Sequence, residues 1–214
     1  MRIIDLSHPL TNETPPFPGD PPVEIKILAH TEQTGREERQ SLNCGLVSLP
    51  IHCATYMDAP YHFYADRPTI DQIPLGACTG PAIVLHIVDQ AIIDAAQLDS
   101  FTDAIKKHRH VLIHTGWYRQ WGREHYFTDH PVLTATAAQL LVDAGVELLG
   151  VDFPSVDLPP HEAHLVLLGN DLLIVENLTN LAAIGQRPFD FSAIPLAIVG
   201  RDGSPVRAFA RIDD

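Results

Sequence analysis

The sequence is short of positive charge. Fourteen Lys and Arg stand against 27 Asp and Glu, a formal net charge of −13, so a nucleic-acid backbone or an anionic membrane face would be repelled and neither is expected as a partner. Cysteine is scarce as well. Cys44, Cys53 and Cys78 are an odd number without CxxC spacing, which argues against a disulfide framework or a structural zinc knuckle and for reduced thiols. Long apolar runs are missing, with none near the roughly 18 residues of a membrane span. Met1-Arg2-Ile3-Ile4-Asp5 lacks the basic-then-apolar layout of a secretory leader, so a cytoplasmic location is expected. No GxSxG, GxxxxGK(S/T) or GxGxxG motif can be read, which removes the sequence grounds for a serine hydrolase, a P-loop enzyme or a dinucleotide binder. His161-Glu162-Ala163-His164 spaces its histidines three apart rather than four and does not match the HExxH of zinc proteases.

What is present fits one soluble α/β domain spanning 1–214. The 214 residues, 45% apolar and 19% charged, suffice for a sizeable core. Twelve histidines nearly equal the 14 cationic side chains, and imidazole is both the commonest metal ligand and the usual proton carrier near neutral pH. β-rich runs at Ile3–Leu6, Val23–Leu28, Leu46–Leu49, Ile83–Val88, Val111–His114, Leu148–Val151, Leu172–Val175, Leu196–Val199 and Val206–Ala210 predict about nine strands. A helix is predicted from the capping residue Thr134 to Ala144, with Ala137, Leu140, Leu141 and Ala144 as its apolar stripe and Gly145 at its end. Shorter candidates are His161–Leu168, stopped by Gly169, and a turn around Asp94–Leu98. Strands outnumber helices, so a mixed fold is expected rather than a regular doubly wound alternation.

The chemistry concentrates between 52 and 62, where the chain reads His52-Cys-Ala-Thr-Tyr56-Met-Asp58-Ala-Pro60-Tyr-His62. His52, Tyr56, Asp58 and His62 are separated by even numbers. In extended backbone they would share one side while Cys53 and Met57 take the other. Pro60 argues for an extended edge or loop here rather than a central strand. A carboxylate and imidazoles aimed at one point suit a divalent ion such as zinc or manganese; they equally suit a hydrogen-bonded polar cluster. Cys53, turned away, reads as packing rather than as a nucleophile. Far along the chain stand His164, on the second helix, and Glu176, ending an apolar strand. Taken alone they read as a helix surface residue and the first exposed residue after a strand. Coupled to the first group, they would complete a site for one or two ions.

These residues resemble the cyclase-like metal-dependent hydrolases, the family that includes bacterial kynurenine formamidase and isatin hydrolase and carries the signature HxGTHxDxPxH. The likeness continues through Asp5-Leu6-Ser7, Phe17-Pro18-Gly19-Asp20-Pro21, Ile73-Pro74-Leu75, His114-Thr115-Gly116-Trp117, Gly150-Val151-Asp152, Ser155-Val156-Asp157 and Glu176-Asn177-Leu178. The resemblance implies a swivelling β/β/α fold with a mixed, barrel-like β core and few helices, a hydrolytic site with one or two divalent ions (Zn or Mn), and a homodimer or homotetramer. By position it makes His52, Asp58, His164 and Glu176 metal ligands, His62 the catalytic acid/base, and Phe17 an aromatic placed against the substrate. The chain departs from the signature at Ala54, where the family has Gly, and at Tyr56, where it has the second His. The latter removes a ligand of one of the two ions. Three outcomes stay open: one ion on the surviving ligands, two ions with Tyr56 as a replacement ligand or water filling the gap, or a site without metal.

The function this implies is a metal-dependent amidohydrolase acting on a small N-acyl, arylformamide-like or cyclic amide. Phe17, Tyr61, Phe63 and Tyr64 are candidates to line an aromatic pocket, and Trp117 reads as core. The alternatives are an isomerase or dehydratase on the same scaffold and a non-catalytic small-molecule binding protein that has lost its ion.

Overall fold

A computed structural model describes residues 1–31, 42–185 and 187–212. Among these described residues twelve strands are seen: β1 (Arg2–Asp5), β2 (Glu24–Thr31), β3 (Leu42–Ser48), β4 (Tyr56–Asp58), β5 (Thr79–His86), β6 (Ile92–Ile93), β7 (His110–His114), β8 (Val132–Leu133), β9 (Leu148–Val151), β10 (Leu173–Glu176), β11 (Phe189–Pro195) and β12 (Gly203–Ile212). The helices are α1 (Ala95–Leu98), α2 (Thr102–Ile105), α3 (Ala135–Asp143) and α4 (Glu162–Gly169). None of them is long and apolar enough to cross a membrane.

Strands β4, β12, β11, β5, β7, β9 and β10 are hydrogen-bonded in that order, and β10 returns to β4, closing a barrel-like mixed sheet. Strands β5, β7, β9 and β10 are parallel. Both faces of these strands must be covered, and their sequences are accordingly near-continuous apolar runs. Alternate residues divide between two cores. Met57, Leu112, Leu148, Val175, Phe191 and Ala208 fill the barrel interior, whereas Val111, Leu149, Val151 and Ile174 pack outward beneath the helices, against Ala138, Leu141, Ala163 and Leu167. The Thr134 side chain accepts from Ala137 N at 3.2 Å and caps α3, while Gly145, at φ +81°, takes the left-handed conformation after it.

Two expectations need correction. Leu196–Val199 is not a strand; the chain pairs earlier, over β11, where Phe189, Phe191 and Ala193 alternate inward and 196–200 leads into a turn. The period-two alternation of β11 was the true signal, and the contiguous apolar run after it was not. The second concerns the 52–62 segment. Tyr56–Asp58 is no edge or loop but a central strand, paired to β10 on one side and β12 on the other. Pro60 does not interrupt it because it falls beyond the strand, at the start of a 3-10 turn over Pro60–His62.

Candidate metal centre

The site grows from β4. With Met57 turned into the barrel interior, Tyr56 and Asp58 face outward. Antiparallel β10 sets Glu176 opposite Tyr56 and Ile174 opposite Asp58, so both carboxylates emerge on the face that α4 covers. From α4 comes His164. Its Nε2 lies 3.9 Å from Asp58 Oδ2 and 3.6 Å from Glu176 Oε1, beyond hydrogen-bonding distance of either. His164 is 4% exposed, Asp58 and Glu176 each 1%.

Asp58 decides what the cluster is for. Neither of its oxygens makes an aligned hydrogen bond among the described residues; His52 Nδ1 stands 2.9 Å from Oδ1 as an ion pair, and although burial opposes the Asp58 charge, His52, then His62 and His164, hold its carboxyl below the ordinary range. Its pairing with His52 leaves the second buried carboxylate of the cluster, Glu176, without a cation of its own, a charge excess that a bound cation offsets. Glu176 shares the same dry site. Burial, and then the Asp58 charge, push its carboxyl up to about 8, as expected of two acids sharing one dry site. Two carboxylate oxygens and an imidazole nitrogen, all within 4.8 Å of one another, form a donor set that zinc or manganese accepts. The residues present therefore fit a divalent ion.

Neighbouring groups hold these donors in place. His164 Nδ1 faces Asp157 Oδ1 at 2.7 Å, so its proton sits there and Nε2 turns its lone pair toward Asp58 and Glu176. Asp157 is itself fixed, its Oδ2 accepting from Ala163 N at 2.7 Å and His164 N at 3.0 Å at the start of α4. Although burial lowers the affinity of His164 for a proton, Asp157, Glu176 and Asp58 outweigh it and raise its pKa. Glu176 Oε1 accepts from Val156 N at 2.8 Å. Its Oε2 is met by the Tyr56 hydroxyl, which also lies 3.1 Å from the carbonyl oxygen of Pro154. Burial, then Glu176 and Asp58, hold that phenol well above its ordinary pKa, so it stays protonated.

Above the carboxylates opens a cavity of about 490 Å³, lined among others by Phe17, His52, Tyr56, His62, Phe63 and His164. His52 spans two acids, with Nδ1 toward Asp58 and Nε2 2.8 Å from Asp202 Oδ2. Burial opposes its charge, but Asp202 and Asp58 lift it to about 10. His62 Nδ1 lies 3.1 Å from the same Asp202 oxygen, and burial lowers its pKa. Phe63 stacks on His164 with centroids 4.9 Å apart, and Phe17 meets Phe127 edge-on at 5.6 Å.

Phe17, His52, Tyr56, Asp58, His62, His164 and Glu176 thus converge, though not by the expected geometry. Of the 52–62 group, only Tyr56 and Asp58 sit in extended backbone. His52 precedes a turn at Ala54, which takes a left-handed φ of +53°, and His62 rides on the 3-10 turn. Cys53 packs with Val23 and Ala54, and burial pushes its thiol up to about 11. Of the four aromatics, Phe17 and Phe63 line the cavity; Tyr61 and Tyr64 do not, and the Tyr64 hydroxyl instead donates to Leu165 O on α4. Trp117 packs with the outer core. Sequence reasoning gave Asp157 no role and passed over Asp202. The Ser155-Val156-Asp157 landmark carried a signal for the first; nothing local marked the second, a lone acid before Gly203.

Comparison with known proteins places the chain in a family and matches its fold. The family model Cyclase matches residues 4–158. Kynurenine formamidase of Bacillus cytotoxicus is 35% identical over 212 residues, covering 97% of this chain and 96% of that protein, and that of Bacillus anthracis is 33% identical over 213 residues with the same coverage. Among solved structures, an isatin hydrolase bound to the product analogue thioisatinate superposes with a TM-score of 0.86 at 21% identity, over 99% of this chain and 92% of that one.

Proposed function

Since the chain belongs to the cyclase family, we propose that it is a metal-dependent amidohydrolase cleaving a small N-acyl, arylformamide-like or cyclic amide. The observation that carries the reading is the buried trio Asp58, His164 and Glu176, whose donor atoms lie within 4.8 Å of one another beneath the cavity that His62 lines. Asp58, His164 and Glu176 would hold one divalent ion, zinc or manganese, with His52 beside Asp58 as a further donor. Bound there, such an ion would supply Lewis-acid chemistry, polarising a carbonyl and lowering the pKa of water toward about 7. Tyr56 favours a single ion, because its protonated hydroxyl already engages Glu176 Oε2.

His62 does the proton work. The burial that lowers its pKa leaves it neutral and able to accept the proton of the attacking water. Addition of that water to the carbonyl carbon and cleavage of the C–N bond leave the departing nitrogen in need of a proton, which His62 returns to give a carboxylic acid and an amine. Phe17 and Phe63 give the cavity aromatic walls, so an aryl group on the substrate fits it.

A homo-oligomer is part of the proposal. The β2–β3 ribbon exposes Ile25, Ile27, Leu28, Leu46 and Val47, and a two-stranded ribbon with bare apolar side chains gains stability when a second copy covers it. Free Cys44, Cys53 and Cys78 suit a cytoplasmic setting.

Elemental analysis of protein purified without chelator, followed by assay on N-formyl arylamines and cyclic arylamides, tests the reading. We expect close to one equivalent of ion and metal-dependent hydrolysis. Less than about a tenth of an equivalent after soaking in zinc and manganese would overturn it.

A further inference from the structure

We propose that Asp202, the residue just before β12, is a positioning residue for His62: its carboxylate dictates which imidazole nitrogen faces the amide. The proposal rests on the hydrolase reading above for its consequence in catalysis, but the geometry stands without it.

Three backbone contacts fix the place of Asp202. Its carbonyl oxygen accepts from Ala59 N at 2.9 Å, and the neighbouring Arg201 carbonyl accepts from Ile70 N at 2.8 Å, so the 201–202 segment is tied to the chain on both sides of His62. Gly203 pairs in register with Asp58. A Cβ on Gly203 would meet Met57 O at 2.7 Å and His52 Cε1 at 3.2 Å, which is why the strand comes close enough for Asp202 to reach both imidazoles.

The side chain then makes one kind of contact twice. Oδ2 lies 2.8 Å from His52 Nε2 and 3.1 Å from His62 Nδ1, and the two rings sit 4.3 Å apart. A carboxylate oxygen accepts, so each facing nitrogen carries its proton. For His62 this leaves the lone pair on Nε2, which has no hydrogen-bond partner among the described residues. His62 lines the cavity, so Nε2 is the atom free to take a proton there. His52, held at its other end by Asp58, acts as a strut that keeps the Asp202 carboxylate from swinging away. The arrangement has the logic of any acid that orients a catalytic imidazole: tautomer and ring angle are set before substrate arrives.

The test is Asp202→Asn in zinc-loaded protein, read in two ways. An amide keeps the shape but can turn an NH2 toward His62 Nδ1, moving the ring proton to Nε2. We expect imidazole 15N spectra to report His62 as the Nδ1–H tautomer in the wild type and the Nε2–H tautomer in the variant. On the best amide substrate, kcat should fall about 10²- to 10³-fold, the usual worth of a positioned acid/base, with KM within about twofold. Zinc content should stay unchanged, and Asp202→Glu, which keeps the carboxylate, should recover part of kcat. A His62 tautomer and kcat that both survive Asp202→Asn would overturn the proposal, as would loss of the zinc, which would make Asp202 an ion ligand instead. Should the Asn variant fail to fold, Asp202→Ser, which also removes the carboxylate, is read by the same spectra and must show loss of the fixed Nδ1–H tautomer. The spectra need no turnover, so a wild type inactive on every amide sinks the hydrolase reading without deciding this one.

Discussion

Asp58 and Asp152 are buried to the same depth, 1% and 0% exposed, and their surroundings are opposite. Asp152 is saturated with donors. Thr115 N reaches its two oxygens at 3.0 and 3.1 Å, Thr115 Oγ1 donates at 2.6 Å and Gly116 N at 2.8 Å. Burial lifts this carboxyl to about 6 against the pull of those donors, so near neutral pH it is ionised and satisfied. It pins the turn after β7, where Gly116 takes φ +86°, to the end of β9. Asp58 meets no backbone N–H or hydroxyl among the described residues, only the imidazoles of His52 at 2.9 Å and His164 at 3.9 Å. Burial is therefore no guide to what a carboxylate does; its donors are. An acid surrounded by N–H groups builds the frame, and an acid surrounded by imidazoles and another acid awaits a cation.

Replacing each acid by Ala gives the largest effects and the sharpest way to break the comparison. Asp58→Ala should lose the ion and lower kcat/KM by about 10³-fold or more. Asp152→Ala should keep the ion but strand buried donors at Thr115 and Gly116, costing roughly 3 kcal/mol. Chelation should then lower the melting temperature of the wild type and of Asp152→Ala and leave Asp58→Ala unmoved, since a ligand stabilises only a fold that binds it. Calorimetry with and without chelator reads all three proteins. Ion loss from Asp152→Ala with retention in Asp58→Ala would reverse the assignment.

The same contrast explains what could be read from the chain. The acids and histidines of the centre were legible because residue type and signature order mark them, and Asp152 was visible within Gly150-Val151-Asp152. What the sequence hid was which donors each acid would meet. Thr115 and Gly116 reach Asp152 only because β7 and β9 are neighbouring parallel strands, a pairing that no local pattern records. β4 was hidden too: three residues just ahead of Pro60 are too few to show periodicity, yet pairing on both sides makes them central. Asp202 lies 140 residues from His62 and gains its meaning only when β12 closes the barrel on β4.

Histidines sharpen the comparison at a smaller energy. His164, among carboxylates, is pulled up, whereas His8, stacked on Trp121 with centroids 4.0 Å apart and with Nε2 unpartnered, is lowered by burial to about 4. A lowered imidazole is neutral in the fold and protonates first in the unfolded chain. Its contribution is present above about pH 6.5 and is lost as pH falls toward 4. His8→Phe keeps a ring on Trp121 and removes the titration. It should flatten the acid limb of the melting curve by on the order of 1–2 kcal/mol at pH 4.5, measured as melting temperature against pH beside the wild type. An unchanged acid limb would mean that His8 takes its proton without unfolding.

The smallest effect lies at Ala54. A left-handed φ of +53° costs an L-residue about 1–2 kcal/mol, of which glycine would recover part and forfeit about 0.4–1 kcal/mol through its freer unfolded chain. Ala54→Gly should therefore stabilise by a few tenths to about 1 kcal/mol. The turn also carries a frame contact, because Ala54 O accepts from Asn177 Nδ2 at 2.7 Å, right beside Glu176 in the chain. If the strain belongs to the frame, as with Asp152, the melting temperature rises and ion affinity stays fixed. If it presses His52 toward Asp58, relaxing the backbone loosens the centre, and ion affinity falls while stability rises. Titration of ion into both proteins, beside their melting curves, tells whether this turn belongs with the satisfied acid or with the unsatisfied one.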